Sequence, residues 1–192
     1  MAAMAISRRL GATTLAAGRF LRLDLLEYSD AAGKPRRWES AARQGQAEAV
    51  LTIPVLRPSG RLVLIRQYRP PVDAYVLEFP AGLVDANETP AAAAQRELAE
   101  ETGYHGTVRW LGPPTCSSPG MTSESVRLAL LDIDENLPEN RSPRARLDEG
   151  EEIEVCLVPT AELEAFLRTQ QEAGACLDSR LAAYALGLGL TW

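Results

Sequence analysis

The sequence predicts an α+β fold in which a mixed β-sheet is sandwiched between helices. Three observations carry that prediction: many short runs have strand periodicity, only two or three segments have helical periodicity with caps, and no segment repeats another. At 192 residues, with 46% hydrophobic and 24% charged residues, the chain is long enough for one domain with its own core. Its composition lies outside the disordered and collagen-like ranges. Residues 1–45 are expected to form an N-terminal extension with a small β-hairpin, and residues 46–192 the main domain.

In residues 19–27, Leu21, Leu23 and Leu25 alternate with Arg22 and Asp24, the period of a half-buried strand. A turn over 30–35 containing Gly33 leads into a short segment at 37–42, which completes the hairpin. Residues 49–56 and 61–68 are β-rich runs on either side of Arg57-Pro58-Ser59-Gly60, where proline and glycine supply turn dihedrals. Residues 76–79 add a strand. Thr89 is then a good N-cap, Pro90 fits the first helical position and Gly103 suits the far end, so a helix is expected over 90–102. Further strands are expected at 107–111, 125–133 and 153–158. Helices are expected at 161–173, behind a Thr160 cap, and at 178–188. Residues 137–150, dotted with proline and arginine, read as a long loop, and long loops in compact domains often carry function.

The net charge of −6 and pI near 5.0 argue against a nucleic-acid partner, because a duplex-binding surface needs a basic stripe. An anionic small molecule would have to be met by divalent cations or a few placed arginines. Cys116, Cys156 and Cys176 are odd in number, far apart and in no CxxC pair, which suggests neither a disulfide framework nor a zinc site and fits a reducing cytoplasm. His105 is the only histidine, so imidazole zinc ligation and a histidine-based triad are excluded. No apolar run approaches a membrane span. Residues 1–20 carry Arg8, Arg9 and Arg19 with no acid, unlike a secretory signal; they read as a ragged tail leading into the first strand, with an organelle transit segment as the alternative.

On the 90–102 helix, Glu97, Glu100 and Glu101 stand at i, i+3 and i+4, so their carboxylates converge beside an apolar face of Ala91, Ala94 and Leu98. Three such carboxylates repel one another unless a cation binds them, although an isolated cluster of this kind is usually just a solvated face. The surroundings change that balance. Gly82, Glu88 and Arg96-Glu97-Leu98-Ala99-Glu100-Glu101-Thr102-Gly103-Tyr104 together resemble the Nudix box at every defined position and spacing. The resemblance implies a Nudix fold in which Glu97 and Glu101 are the principal ligands of Mg²⁺ or Mn²⁺, two or three ions in all, with Glu100 assisting and the Ala81 carbonyl completing the site. It makes Gly82 and Gly103 structural and Arg96 an organiser of the helix carboxylates. Glu88 has two roles open to it, metal ligand or partner of Arg96.

The similarity extends beyond the box. Gln67-Tyr68-Arg69-Pro70-Pro71, Glu78-Phe79-Pro80-Ala81-Gly82, residues 177–186, and Pro119 within Ser117-Ser118-Pro119-Gly120 all resemble the ADP-ribose pyrophosphatase branch of the family. This implies hydrolysis of ADP-ribose to AMP and ribose 5-phosphate. Arg69 would contact the diphosphate or terminal ribose, and Glu151, in Asp148-Glu149-Gly150-Glu151-Glu152, would be the general base, with Glu149 and Glu152 as neighbouring competitors. Phe20, Trp38, Glu39 and Arg43 would bind the adenosine end, with the base held between aromatic rings from two subunits. That implies a homodimer with residues 1–45 as its dimerisation region. For Trp38 the alternative is simple packing of the hairpin onto the sheet. Rival substrates are other nucleoside diphosphate sugars, oxidised nucleoside diphosphates or related dinucleotides. A rival of another class is a nucleotide-sensing module without turnover, whose mark would be a broken box or an attached DNA-binding unit.

Overall fold

The computed structural model describes residues 6–45 and 48–189. The chain divides into two compact units. One comprises the described residues up to Ala49 together with Pro114–Val126; the other comprises Val50–Pro113 and the described residues from Arg127 onward.

In the first unit, β1 (Arg8–Ala17), β2 (Leu21–Ser29) and β3 (Pro35–Arg43) form an antiparallel sheet in that order. The β2–β3 turn follows from its residues: the Asp30 carboxylate accepts from the backbone N–H of Ala32 (3.0 Å) and Lys34 (2.9 Å), and Gly33 takes the positive φ of 79° that glycine tolerates. The third strand corrects an expectation, because residues 8–17, read as part of a ragged tail, form β1. Nearly all of β1 is exposed, so no apolar alternation marks it in the sequence. What holds it is backbone pairing to β2, from Arg8↔Ser29 to Ala17↔Arg22, and the Thr14 hydroxyl, which donates to Asp24 at 2.8 Å. The first five residues of that expected tail lie outside the described residues.

The chain continues through β4 (Glu48–Arg57), β5 (Arg61–Arg69), β6 (Ala74–Glu78), β7 (Ala81–Leu83), α1 (Pro90–Thr102) and β8 (Thr107–Leu111). It then passes through β9 (Thr115–Cys116), β10 (Ser125–Asp134), α2 (Pro138–Arg141), β11 (Ile153–Pro159), α3 (Leu163–Glu172), β12 (Cys176–Leu177) and α4 (Ser179–Gly187). The main sheet has the order β12-β6-β5-β4-β10-β8, with β7 on β4 and β11 on β5. It is mixed: β12 runs parallel to β6, while β5 pairs antiparallel with β6 and β11. Val63 of β5 joins Val50, Leu56, Ala94, Leu98, Leu131 and Ile133 in the core under α1. Successive strand residues face opposite ways, so the fully buried Leu62 and Leu64 point to the other face. Leu163 and Leu167 of α3 and Leu181 of α4 are also fully buried.

Helix α1 is bounded as its sequence requires. Thr89 accepts from the Ala92 N–H at 3.2 Å, Pro90 occupies the first turn, and Gly103 closes the end at φ 75°. Helix α3 begins later than expected. Thr160 opens a 3-10 turn over Thr160–Glu162, and its hydroxyl donates to the Gly60 carbonyl at 2.8 Å rather than capping the helix. The 137–150 stretch contains the short α2, pinned by buried Asn140, whose amide bonds the backbone of His105 and Asp134. Among the described residues no helix is long and apolar enough to cross a membrane, and the three cysteines are unpaired thiols.

Candidate active site

One turn of α1 brings the box carboxylates under the short strand β7. Glu101 is buried, Glu97 keeps 14% of its side-chain exposure and Glu100 41%. The Ala81 N–H donates to Glu101 Oε2 at 3.1 Å. A Cβ on Gly82 would lie 2.0 Å from the Glu97 carboxyl carbon, so glycine lets the β7 backbone approach that carboxylate where it stands. Burial, and next the charge of Glu97, push the Glu101 carboxyl up to about 8; the Ala81 N–H opposes the rise. Burial also raises Glu97, against the pull of Arg96.

Arg96 is the hub of the helix face. Its guanidinium donates to both Glu88 oxygens (Nε to Oε1 3.1 Å, Nη2 to Oε2 2.9 Å), to Glu97 and Glu100 (2.8 Å each), and to the Leu83 carbonyl (2.9 Å). Hydrogen bonding from Arg96 holds Glu88 below the usual carboxylate range. Gly103 has a second role beside its positive φ: a Cβ there would lie 2.2 Å from the Arg144 amide nitrogen. The following backbone is stitched to the helix end by the Arg146 N–H, which donates to the Glu100 carbonyl at 2.8 Å.

Arg69 ends β5 and donates to Glu78 Oε1 at 2.8 Å. Glu78 is buried, and burial raises its carboxyl despite Arg69. Nearby, Asp178 both caps α4 and pairs with Arg180 at 2.6 Å. Sequence reasoning assigned no role to Glu78; its signal was an acid at the end of an otherwise apolar β6. Glu151 accepts from the Asp148 N–H at 3.0 Å, and its charge repels both Glu97 and Glu101. Glu149, Glu151 and Glu152 are all exposed.

The remaining candidates stand in the first unit. Trp38 is half-exposed, and its indole N–H donates to the Gly120 carbonyl at 3.0 Å, beside Pro119. Arg43 pairs with Glu124, and Glu39 is exposed. Phe20 is 67% exposed and precedes Leu21, which pairs with Arg43, whereas Trp38 pairs with Leu26. Five residues of strand separate those pairings, about 17 Å at the usual rise, so the two rings do not meet within one chain.

The NUDIX domain profile matches residues 45–178, which includes the whole of this carboxylate face. This chain belongs to the Nudix family. Among its Nudix relatives, the ADP-sugar pyrophosphatase of Mus musculus is 36% identical over 89% of this chain and 82% of its own length. The ADP-ribose pyrophosphatase of Saccharomyces cerevisiae (strain ATCC 204508 / S288c) is 33% identical over 88% of this chain and 77% of its own. The crystal structure of an ADP compounds hydrolase superposes with a TM-score of 0.68 at 24% identity, covering 88% and 86% of the two chains, which identifies the same fold.

Nudix enzymes generally use divalent metals, and the donors here fit that use. All are oxygens, the preference of small hard cations, and the crowding of Glu97 on Glu101 is a repulsion that a cation relieves. Among the described residues no three acidic, thiol or imidazole side chains form a ready cage; Arg96 is bonded to both Glu97 and Glu100.

Proposed function

We propose that this Nudix hydrolase cleaves the diphosphate bridge of ADP-ribose to give AMP and ribose 5-phosphate. The observation that carries the reading is buried Glu101 beside largely buried Glu97 beneath Gly82, with the charge of Glu151 acting on both. Glu97 and Glu101 would hold Mg²⁺ or Mn²⁺, two or three ions, with Glu100 and the Ala81 carbonyl as further donors. A metal held by these donors would supply positive charge against the bridging diphosphate and polarise one phosphorus. Glu151 accepts the proton of the attacking water while the new oxygen–phosphorus bond forms and the bridging bond breaks. Arg69 offers its guanidinium to the diphosphate or the terminal ribose, and the Glu78 carboxylate fixes its direction. Gly82, Glu88, Arg96 and Gly103 shape and hold the box.

Residues 1–45 serve adenine recognition and dimerisation, and residues 46–192 hydrolysis. Phe20 of one protomer and Trp38 of the other stack the base, with Glu39 and Arg43 at the adenosine end. The Gly120 bond supports this role for Trp38 because it fixes the indole edge and leaves the ring half-exposed. The dimer is supported by the apolar side chains that the three-stranded sheet exposes, among them Leu10, Leu15, Leu21 and Leu23. With net charge −6 and free cysteines, the protein is expected to work in the cytoplasm on a small molecule, without nucleic acid or membrane.

A substrate panel with Mg²⁺ and with Mn²⁺, products separated by chromatography, tests the reading. ADP-ribose should give AMP with the highest kcat/KM; no AMP with either metal overturns it. A wider ADP-sugar preference is the second reading, favoured by Phe20, whose ring is a smaller stacking face than an indole.

A further inference from the structure

Arg66 lies on β5 between two neighbouring strands, opposite Glu154 of β11 and Leu77 of β6. Its guanidinium carbon lies 4.3 Å from the Tyr75 ring centroid, and its Nη1 donates to Glu154 at 3.0 Å. Its Nε is, among the described residues, the one buried side-chain polar atom without a hydrogen-bond partner. A buried donor left unpaired costs free energy, so this N–H is a place where an acceptor would be welcome. Next to it is a cleft of about 480 Å³ lined by Arg66, Tyr75, Glu154 and the loop residues Leu147, Glu151 and Glu152.

The loop is short between its anchors. Arg146 is tied to the end of α1, and Ile153 is already paired with Gln67 in the sheet. Only 147–152 are free to change course. Successive residues of extended chain face opposite ways. Glu151 and Glu152 precede β11 and both line this cleft, Glu151 being held in a turn on the Asp148 carbonyl; if the alternation of β11 were extended back from Glu154, which contacts Arg66, Glu152 would fall on the Arg66 side and Glu151 on the opposite side with Ile153. That opposite side is the one whose β5 residue, Val63, packs under α1, consistent with the repulsion of Glu97 and Glu101 by Glu151.

We propose that Arg66, stacked on Tyr75 and tied to Glu154, is a positioning residue that captures Glu152 on its free Nε–H and so fixes Glu151 towards the α1 carboxylates. The inference rests on the reading of Glu151 as the base. Arg66 touches no substrate; it acts on the direction of the loop.

The test uses the full chain with Mg²⁺ and ADP-ribose and compares Arg66→Ala, Arg66→Lys, Glu152→Gln, the double variant Arg66→Ala/Glu152→Gln, and Glu151→Gln. Arg66→Ala and Glu152→Gln should each lower kcat about five- to thirtyfold, as coupled contacting residues do, with KM within about twofold. The double variant should be no slower than the worse single one, and Arg66→Lys should recover part of the loss. Trypsin should cut after Arg144 or Arg146 faster in Arg66→Ala than in wild type. Multiplying losses in the double variant, a change in KM alone, or unchanged proteolysis would each overturn the dock. If Arg66→Ala does not fold, Glu152→Gln in the Arg66→Lys background supplies the same cycle. Full activity of Glu151→Gln would remove the base assignment instead, while the proteolysis still reports on the dock.

Discussion

At the scale of single residues, Glu101 combines a cost with a use. Its carboxyl is buried beside Glu97, has one backbone N–H to compensate and is pushed up to about 8, so above the ordinary carboxylate range the metal-free fold must hold a proton there or bear a poorly solvated charge, and would be more stable without the ionisable group. Glu101→Gln keeps the shape and removes the charge. It should melt at or above the wild-type Tm in the absence of metal, measured by circular dichroism at pH 7.5. It should also lose about 10²-fold or more in kcat, since metal-borne stabilisation is worth several kcal/mol. A variant that retains near wild-type kcat at saturating Mg²⁺ would remove Glu101 from the metal site. The opposite pairing of effects separates a functional carboxylate from a structural one, whose loss would lower both quantities.

At the scale of elements, two box glycines should fail in different ways. The added methyl of Gly82→Ala meets the far end of the Glu97 side chain, which can swing away, so Tm should change little while kcat falls if Glu97 is the metal ligand proposed above. The methyl of Gly103→Ala meets the backbone of Arg144, at a φ of 75° that alanine resists. Strain of that kind costs about 1–3 kcal/mol, and Tm should drop by several degrees. If Tm falls equally in both, the close approach of β7 to Glu97 is mere packing. The α1 boundaries were legible because Thr89, Pro90 and Gly103 act within one turn of themselves. Strand β1 was not, because its pairing with β2 is backbone to backbone and leaves no apolar alternation. Thr160 misled for a related reason: a threonine hydroxyl caps or reaches outward depending on what lies beside it, here the Gly60 carbonyl 100 residues away. The acids of the box were readable from helical spacing, whereas contacts made across strands, Arg69 with Glu78 and Arg66 with Glu154, depend on which strands become neighbours.

At the scale of the molecule, the first unit sets the expected assembly. Phe20 and Trp38 are half-exposed or more, Phe20 beside the Leu21↔Arg43 end of the β2–β3 pairing and Trp38 opposite Leu26, five residues along it, so a clamp built from both needs two copies. Light scattering should give twice the 20.8 kDa chain mass. Base stacking on an aromatic is worth about 1–3 kcal/mol, so Trp38→Ala should raise KM for ADP-ribose about ten- to hundredfold with kcat nearly unchanged. A fully active monomer, or an unchanged KM, would refute the shared clamp and leave the carboxylate chemistry intact.

The Arg96 hub also bears on the order in which the enzyme is assembled. A helix carrying three acids on one face, with a fourth just before its start, needs positive charge to form, and in many small metalloproteins the ion itself supplies it, so that the apo chain is unfolded. Here one guanidinium, bonded to Glu88, Glu97 and Glu100 at once, is a resident counter-ion encoded in the chain. Maturation and loading are thereby uncoupled: the polypeptide can reach its native shape in a metal-poor cell and be switched on later. Chelation with EDTA should accordingly abolish hydrolysis yet leave the circular dichroism spectrum and Tm close to those of the untreated protein, and re-addition of Mg²⁺ should restore activity without a refolding lag. Loss of the folded signal on chelation would show that the ion, not Arg96, balances the helix.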